Sequence, residues 1–145
     1  MLKNNILFIG LIILLFIILL AIVYYKNLSE IKTIVINEKE YVVEIARSAK
    51  SQTMGLSKRE SMGEIDGMLF IYENPGIQSF WMNQMKFDID IVWIQDGKVV
   101  GIDKNISHKY QDVHYTSLEK VDMVLELGSG VTDKDNINIG DIVYF

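Results

Sequence analysis

Residues 67–94 read GMLFIYENPGIQSFWMNQMKFDIDIVWI: three apolar runs with turn residues between the first two and two carboxylates, Asp88 and Asp90, in the third. Runs this short, rich in β-branched and aromatic residues, are the pattern of strands buried on both faces. A carboxylate in the middle of Ile89-Asp90-Ile91-Val92-Trp93-Ile94 is costly to bury alone. The fold must therefore satisfy Asp90 or open a wet cavity beside it.

The rest of the chain supplies strands to build around that stretch. Residues 31–36 and 41–46 flank Asn37-Glu38-Lys39-Glu40 and predict a β-hairpin. Ser48 is placed to cap a short helix through Met54 that stops at Gly55. Residues 67–72 predict a strand, Asn74-Pro75-Gly76 a turn and residues 77–82 the strand returning from it. Gln95-Asp96-Gly97-Lys98 predicts a tight hairpin from residues 89–94 into 99–102. Residues 103–115 are polar and aperiodic, carry both histidines and read as a long surface loop. Residues 121–127 are another strand, Gly128-Ser129-Gly130 a break, Thr132 a cap for one helical turn and 142–145 a terminal strand. Roughly eight short strands with one or two small helices predict a mainly β (α+β) domain. The expected form is a compact antiparallel sandwich or partly closed barrel, not a βαβ fold.

Upstream lies a different kind of segment. Residues 6–25 carry no charge and are nearly all Ile, Leu, Phe and Val, and at about 1.5 Å per residue they reach roughly 30 Å, the thickness of a bilayer core. The run continues into Ala21-Ile22-Val23-Tyr24-Tyr25-Lys26 without the small-residue site of a cleaved signal, so it reads as an uncleaved transmembrane anchor. Tyr24 and Tyr25 suit the interface. The expected organisation is a tail over 1–5, a transmembrane helix over 6–25, a tether over 26–30 and a single β-rich domain over 31–145. Lys26, Lys32 and Lys39 follow the span and count against the positive-inside rule. The signal-anchor plan nonetheless places the domain on the outer face of the cell membrane, with the bilayer as its first partner.

Charge narrows the partners further. Without Lys3 the 14 basic residues become 13 against 19 acidic, a net of −6. That is the wrong sign for nucleic acid or an anionic lipid surface. The chain has no cysteine, which removes disulfides, thiol chemistry and a lipidated cysteine.

Gly55-Leu56 with Arg59, then Gly67-Met68-Leu69-Phe70, Phe80-Trp81-Met82, Asp90, Gly97-Lys98-Val99-Val100, Leu125-Glu126-Leu127 with Gly130, and Gly140-Asp141 follow one another in an order and spacing that resembles the domain of unknown function 192 family. The resemblance covers nearly all of 41–145 and implies a compact, mostly β fold, often behind a signal peptide or anchor. Two positions depart from the family pattern. Asn83-Gln84 stands where the family has Lys-Asn, and Asp88 where it has proline. Any anion-binding role of that patch is weakened accordingly.

Among side chains that carry chemistry, Asp88 and Asp90 lie two apart in an extended segment and share a face, opposite Trp93. Arg59 is the expected partner of Asp90, bridging to Glu126, which interrupts the apolar Val124-Leu125-Glu126-Leu127. Two readings follow. Arg59, Trp81, Asp88, Asp90 and Glu126 form either a structural ion-pair network or a polar floor with an aromatic wall that binds a ligand. Paired carboxylates beside an aromatic also suit glycoside hydrolysis, with Asp90 and Glu126 as the candidate catalytic pair. No G-x-S-x-G, cysteine nucleophile or phosphate-cradling loop is present. His108, Asp112 and His114 are the residues with metal-ligand chemistry, in an acidic loop where solvated histidines are the commoner outcome. The expectation is a membrane-anchored binding or interaction module of the cell envelope, without cofactor or metal, meeting an envelope glycan or another envelope protein. The alternative is a hydrolase of an envelope polysaccharide.

Overall fold

The computed structural model describes residues 12–21 and 30–145. Residues 12–21 are helical and every side chain of that stretch is exposed. The remainder of the expected anchor, 6–11 and 22–25, and the tether over 26–29 lie outside the described residues. Among the described residues no helix is long and apolar enough to cross a membrane.

Among the described residues nine strands follow: β1 (Glu30–Ile36), β2 (Lys39–Ala46), β3 (Gly67–Gly76), β4 (Ser79–Trp81), β5 (Ile89–Gln95), β6 (Lys98–Ile106), β7 (His114–Thr116), β8 (Val121–Gly128) and β9 (Val143–Tyr144). Seven of them form one mixed sheet in the order β6-β5-β8-β3-β2-β1-β9, and β4 with β7 forms a separate two-stranded ribbon. The large sheet curls into a half-barrel. At one place it closes: β9 pairs with β1, while Ile142 bridges Lys98 on β6 and the Val99 amide donates to the Asp141 carbonyl at 2.9 Å.

Curling divides the apolar residues into two cores. The inner one draws on all seven strands, with Ile34, Val43, Leu69, Val92, Val99, Leu125 and Val143 among its members, and Ile137 caps it from the segment between β8 and β9. The outer one holds Leu56, Met68, Phe70, Met82, Ile91, Trp93 and Val124, and is covered by the ribbon through Phe80 and Tyr115. Strand alternation decides which residue goes where, since successive side chains leave opposite faces.

Several local expectations match. The first hairpin turns at Asn37 and Glu38, both with positive φ, and the second at Asp96 and Gly97, as two-residue turns of right-twisted strands require. Ser48 caps the helix Ala49–Met54 through a reciprocal pair of bonds with Ser51, and Gly55 ends it.

Others need correction. The sheet is not wholly antiparallel, and it is not one half of a sandwich. β2 and β3 run parallel, because the twenty residues between Ala46 and Gly67 are long enough for a crossover that carries the short helix. Asn74-Pro75-Gly76 is no hairpin turn: β3 continues through it after a register shift between Ile71 and Gly76, and Pro75 lies exposed where no ladder bond is lost. The polar stretch 103–115 is shorter as a loop than its composition suggests, since β6 extends to Ile106 and β7 begins at His114. Thr132 does not cap a helix. It lies inside the turn Val131–Lys134, fully buried, with Gly130 at the cap position.

Gly67 shows how tightly the sheet is packed at the start of β3. A Cβ there would fall 2.1 Å from the Glu126 carbonyl oxygen, which only glycine avoids.

Candidate functional site

Asp90 is fully buried on the inner face and is satisfied by donors from two segments. Its Oδ1 accepts from the amides of Asn105 (2.8 Å) and Gly130 (3.2 Å), and its Oδ2 from the amide (3.0 Å) and hydroxyl (2.7 Å) of Thr132. Four donors aimed at one carboxylate tie β5 to the end of β6 and to the turn after β8. Such a shell replaces the hydration the ion loses. Arg59 is not among its partners, contrary to the sequence expectation. The guanidinium reaches Glu44 on β2 instead, Nη2 to Oε2 at 2.9 Å, because it approaches the sheet from the outer side.

Glu126 is the other buried carboxylate, and its position follows from the register. Asp90 pairs with Leu127 and Ile91 with Glu126, so Asp90 and Glu126 leave the sheet on opposite faces. A two-carboxylate cleavage of one glycosidic bond needs both groups flanking that bond on one side. Asp90 and Glu126 cannot provide that arrangement, and the hydrolytic pair is corrected on this point.

Across the outer face a row runs Glu44, Met68, Glu126, Ile91, Asp103 on β2, β3, β8, β5 and β6. Within it Glu126 Oε2 has no hydrogen-bond partner among the described residues. Burial pushes the Glu126 carboxyl up to about 8, with Arg59 pulling the other way. Tyr72 belongs to the same neighbourhood: burial first, then the charge of Glu126, raises its hydroxyl to about 12. A carboxyl raised this far, beside an arginine and a tyrosine, is a perturbed group of the kind that concentrates at functional sites.

The remaining candidates sit at the surface. Asp88 accepts from the His108 amide at 2.8 Å and from its Nδ1 at 2.5 Å, and these bonds hold its carboxyl below the usual carboxylate range. His114 is on β7 and stacks on Trp81 of β4, ring centroids 5.5 Å apart and 29° from parallel. The two histidines thus serve different partners, and neither bonds Asp112. No group of three His, Cys, Asp or Glu side chains among the described residues could hold a metal.

The ribbon itself has two unlike faces. Inward, Phe80 meets Phe70 edge-on at 4.8 Å and Trp93 at 5.7 Å. Outward, Trp81 is 51% exposed beside His114, with Ser79 accepting from the Thr116 hydroxyl at 3.1 Å and its Oγ lying 3.3 Å from His114 Nδ1. Glu44 interrupts the apolar Val42-Val43-Glu44-Ile45 in the same way as Glu126, a signal the sequence carries, whereas Asp103 opens a polar stretch and carries none. The Trp81–His114 stack had no sequence signal, since it depends on two strands 33 residues apart finding one register.

Residues 30–145 match the profile of the family DUF192, described as an uncharacterized ACR. The chain belongs to the DUF192 family. The DUF192 fold is shared with a protein of unknown function from Novosphingobium aromaticivorans, 27% identical, with a TM-score of 0.73 over 79% of this chain and 85% of that one. It is shared also with a protein from Sinorhizobium meliloti described as a candidate transcription regulator, 24% identical, with a TM-score of 0.74 over 79% of this chain and 93% of the other. No curated protein matches the DUF192 chain.

Proposed function

We propose that this chain is a non-catalytic binding module, held at the outer face of a cell membrane by residues 6–25, with the outward face of the β4–β7 ribbon as its contact surface and an envelope glycan as its ligand. The observation that carries this reading is Trp81, which leaves half its surface in solvent on a strand whose other side is locked into the outer core. A rigid, exposed indole is costly to leave wet and supplies a flat apolar platform at little entropic cost. Ser79, Thr116 and His114 border it with hydroxyl and imidazole groups, the mixture of apolar face and hydrogen-bonding edge that a sugar ring presents in return. The carboxylates fit the same reading, because Asp90 and Glu44 already have partners within the fold.

Support for the anchor comes from residues 12–21, a helix of apolar side chains all of which are exposed. Lipid is the solvent that suits such a surface.

Cosedimentation of the full-length protein in detergent with insoluble cell-wall polysaccharide tests the ribbon. Trp81→Ala is expected to weaken retention by about tenfold or more while leaving the urea midpoint in place. Equal retention of the parent and Trp81→Ala proteins overturns the reading.

A further inference from the structure

At the foot of the ribbon, reaching its outward face only at Thr116, the connection from β7 to β8 meets the outer side of β5 and β6 around a cleft of about 150 Å³. Trp93, Gly101, Asp103, Thr116, Ser117 and Glu119 line it. A volume of this order admits a guest the size of benzene.

The walls are fixed before any ligand arrives. The Trp93 indole Nε1 donates to Asp103 Oδ2 at 2.7 Å, and Phe80 meets its ring at 73°. Gly101 faces Trp93 across the strand pair, and a Cβ there would lie 3.0 Å from Trp93 Cδ1, so the absent side chain gives the indole its seat.

The polarity of the cleft is one-sided. Its two strongest donors are spent inside the protein, Trp93 Nε1 on Asp103 and the Thr116 hydroxyl on Ser79. The Ser117 oxygen already receives the Gln78 amide at 3.0 Å. Acceptors outnumber donors in the lining: Asp103 has one oxygen beyond the one Trp93 uses, Glu119 is an exposed carboxylate, and Thr116 has lone pairs to offer. Among the described residues neither carboxylate has a lysine, arginine or histidine within ion-pair distance, while Lys104 beside Asp103 is committed to Asp133. An anion would find two negative charges here against a single uncommitted side-chain donor, the Ser117 hydroxyl. A group with several N–H donors, a positive charge and an apolar stem would find each of its needs met, including an aromatic wall for the cation.

We propose that this cleft binds a primary alkylammonium group, with Asp103 and Glu119 as its charge partners, Thr116 as a further acceptor and Trp93 as the wall for its stem. The group is carried either by a lysine side chain of a polypeptide or by a free diamine.

The chain has two tryptophans, so Trp81→Phe leaves Trp93 as the sole reporter and also takes the ribbon platform out of the measurement. The full-length Trp81→Phe protein in detergent is titrated with Nα-acetyl-lysine amide and with cadaverine, against sodium chloride at matched ionic strength. The expected result is a saturable change in Trp93 emission with at least one amine and none with salt. Tighter binding of the lysine derivative assigns the group to a polypeptide, and tighter binding of cadaverine assigns it to a free diamine. Glu119→Gln, an exposed change that leaves the core alone, should weaken the midpoint about tenfold, and Asp103→Asn, which keeps an acceptor for Trp93, should do likewise. No saturable change with either amine up to about 10 mM, or a titration unaltered by Glu119→Gln, overturns the proposal. Either outcome leaves the cosedimentation of the ribbon to be judged by itself.

Discussion

Asp90 and Glu126 occupy neighbouring strands one register step apart, and the sheet lies between their side chains. One carboxylate is wrapped in four donors and the other has an oxygen without a partner. They should answer mutation in opposite ways.

Asp90→Asn places an amide NH2 against donors that need an acceptor, so the variant is expected to lose about 2–4 kcal/mol. Urea unfolding with an unchanged m-value measures it. The same substitution should not rescue Arg59→Ala: the pair shares no contact, and a double-mutant cycle should return a coupling below about 0.5 kcal/mol. A larger coupling would restore the ion pair that the sequence suggested.

Arg59 and Glu44 should couple instead. The pair is only partly buried, with side chains 32% and 12% exposed, so a coupling of about 1 kcal/mol between Arg59→Ala and Glu44→Gln is expected, reduced at high salt. Salt-independent additivity in the urea cycle would refute it.

Glu126 makes stability depend on pH. Its folded carboxyl titrates at about 8 against an ordinary 4.5, so between these values the unfolded chain holds fewer protons than the folded one. Stability should be fully expressed below about pH 4.5 and decline as pH rises through 8, by an amount on the order of 4 kcal/mol. Glu126→Gln mimics the neutral acid and should abolish the decline. Parallel urea midpoints for the parent and Glu126→Gln from pH 5 to 8 would disprove the neutral carboxyl.

These contrasts also show what the residues alone could reveal. The apolar runs within 31–46 and 89–102 and the turn pairs Asn37-Glu38 and Asp96-Gly97 dictated both hairpins locally, so they were legible. Asp90 was legible as a problem, a charge in an apolar strand, but its solution was not. Its donors are mostly backbone amides, which every residue but proline possesses and no sequence advertises. Arg59 was misassigned for a related reason: charge complementarity names possible partners, while the face of the sheet chooses among them. Pro75 misled in the opposite direction, since a proline-glycine pair fits a turn and a bulged strand equally well.

Gly67→Ala should be among the most damaging single-atom additions to this chain. The new Cβ would strike the backbone carbonyl of Glu126, which no rotamer change can move aside, and a loss of about 3 kcal/mol or more is expected in thermal or urea unfolding. A variant with parental stability would mean that β3 and β8 can separate without cost.

For the anchor, the protein should stay with the membrane fraction through a high-salt wash, and its intact mass after detergent extraction should include residues 1–30. A soluble product beginning near Lys26 would end that proposal.

The closure of the sheet by β9 has a kinetic side. Hairpins such as β1–β2 and β5–β6 form from neighbouring residues on a scale of about 1–10 μs. The seam that joins β1 to the end of the chain is of another kind: the Asn37 side chain bonds Asp141, 104 residues away, and Val35 meets Tyr144. With a parallel β2–β3 pair added, the topology belongs to the slow, non-local class that folds in about milliseconds to seconds. During that interval the inner core is open on the side β9 will cover, so a newly made chain is most exposed to mispairing there.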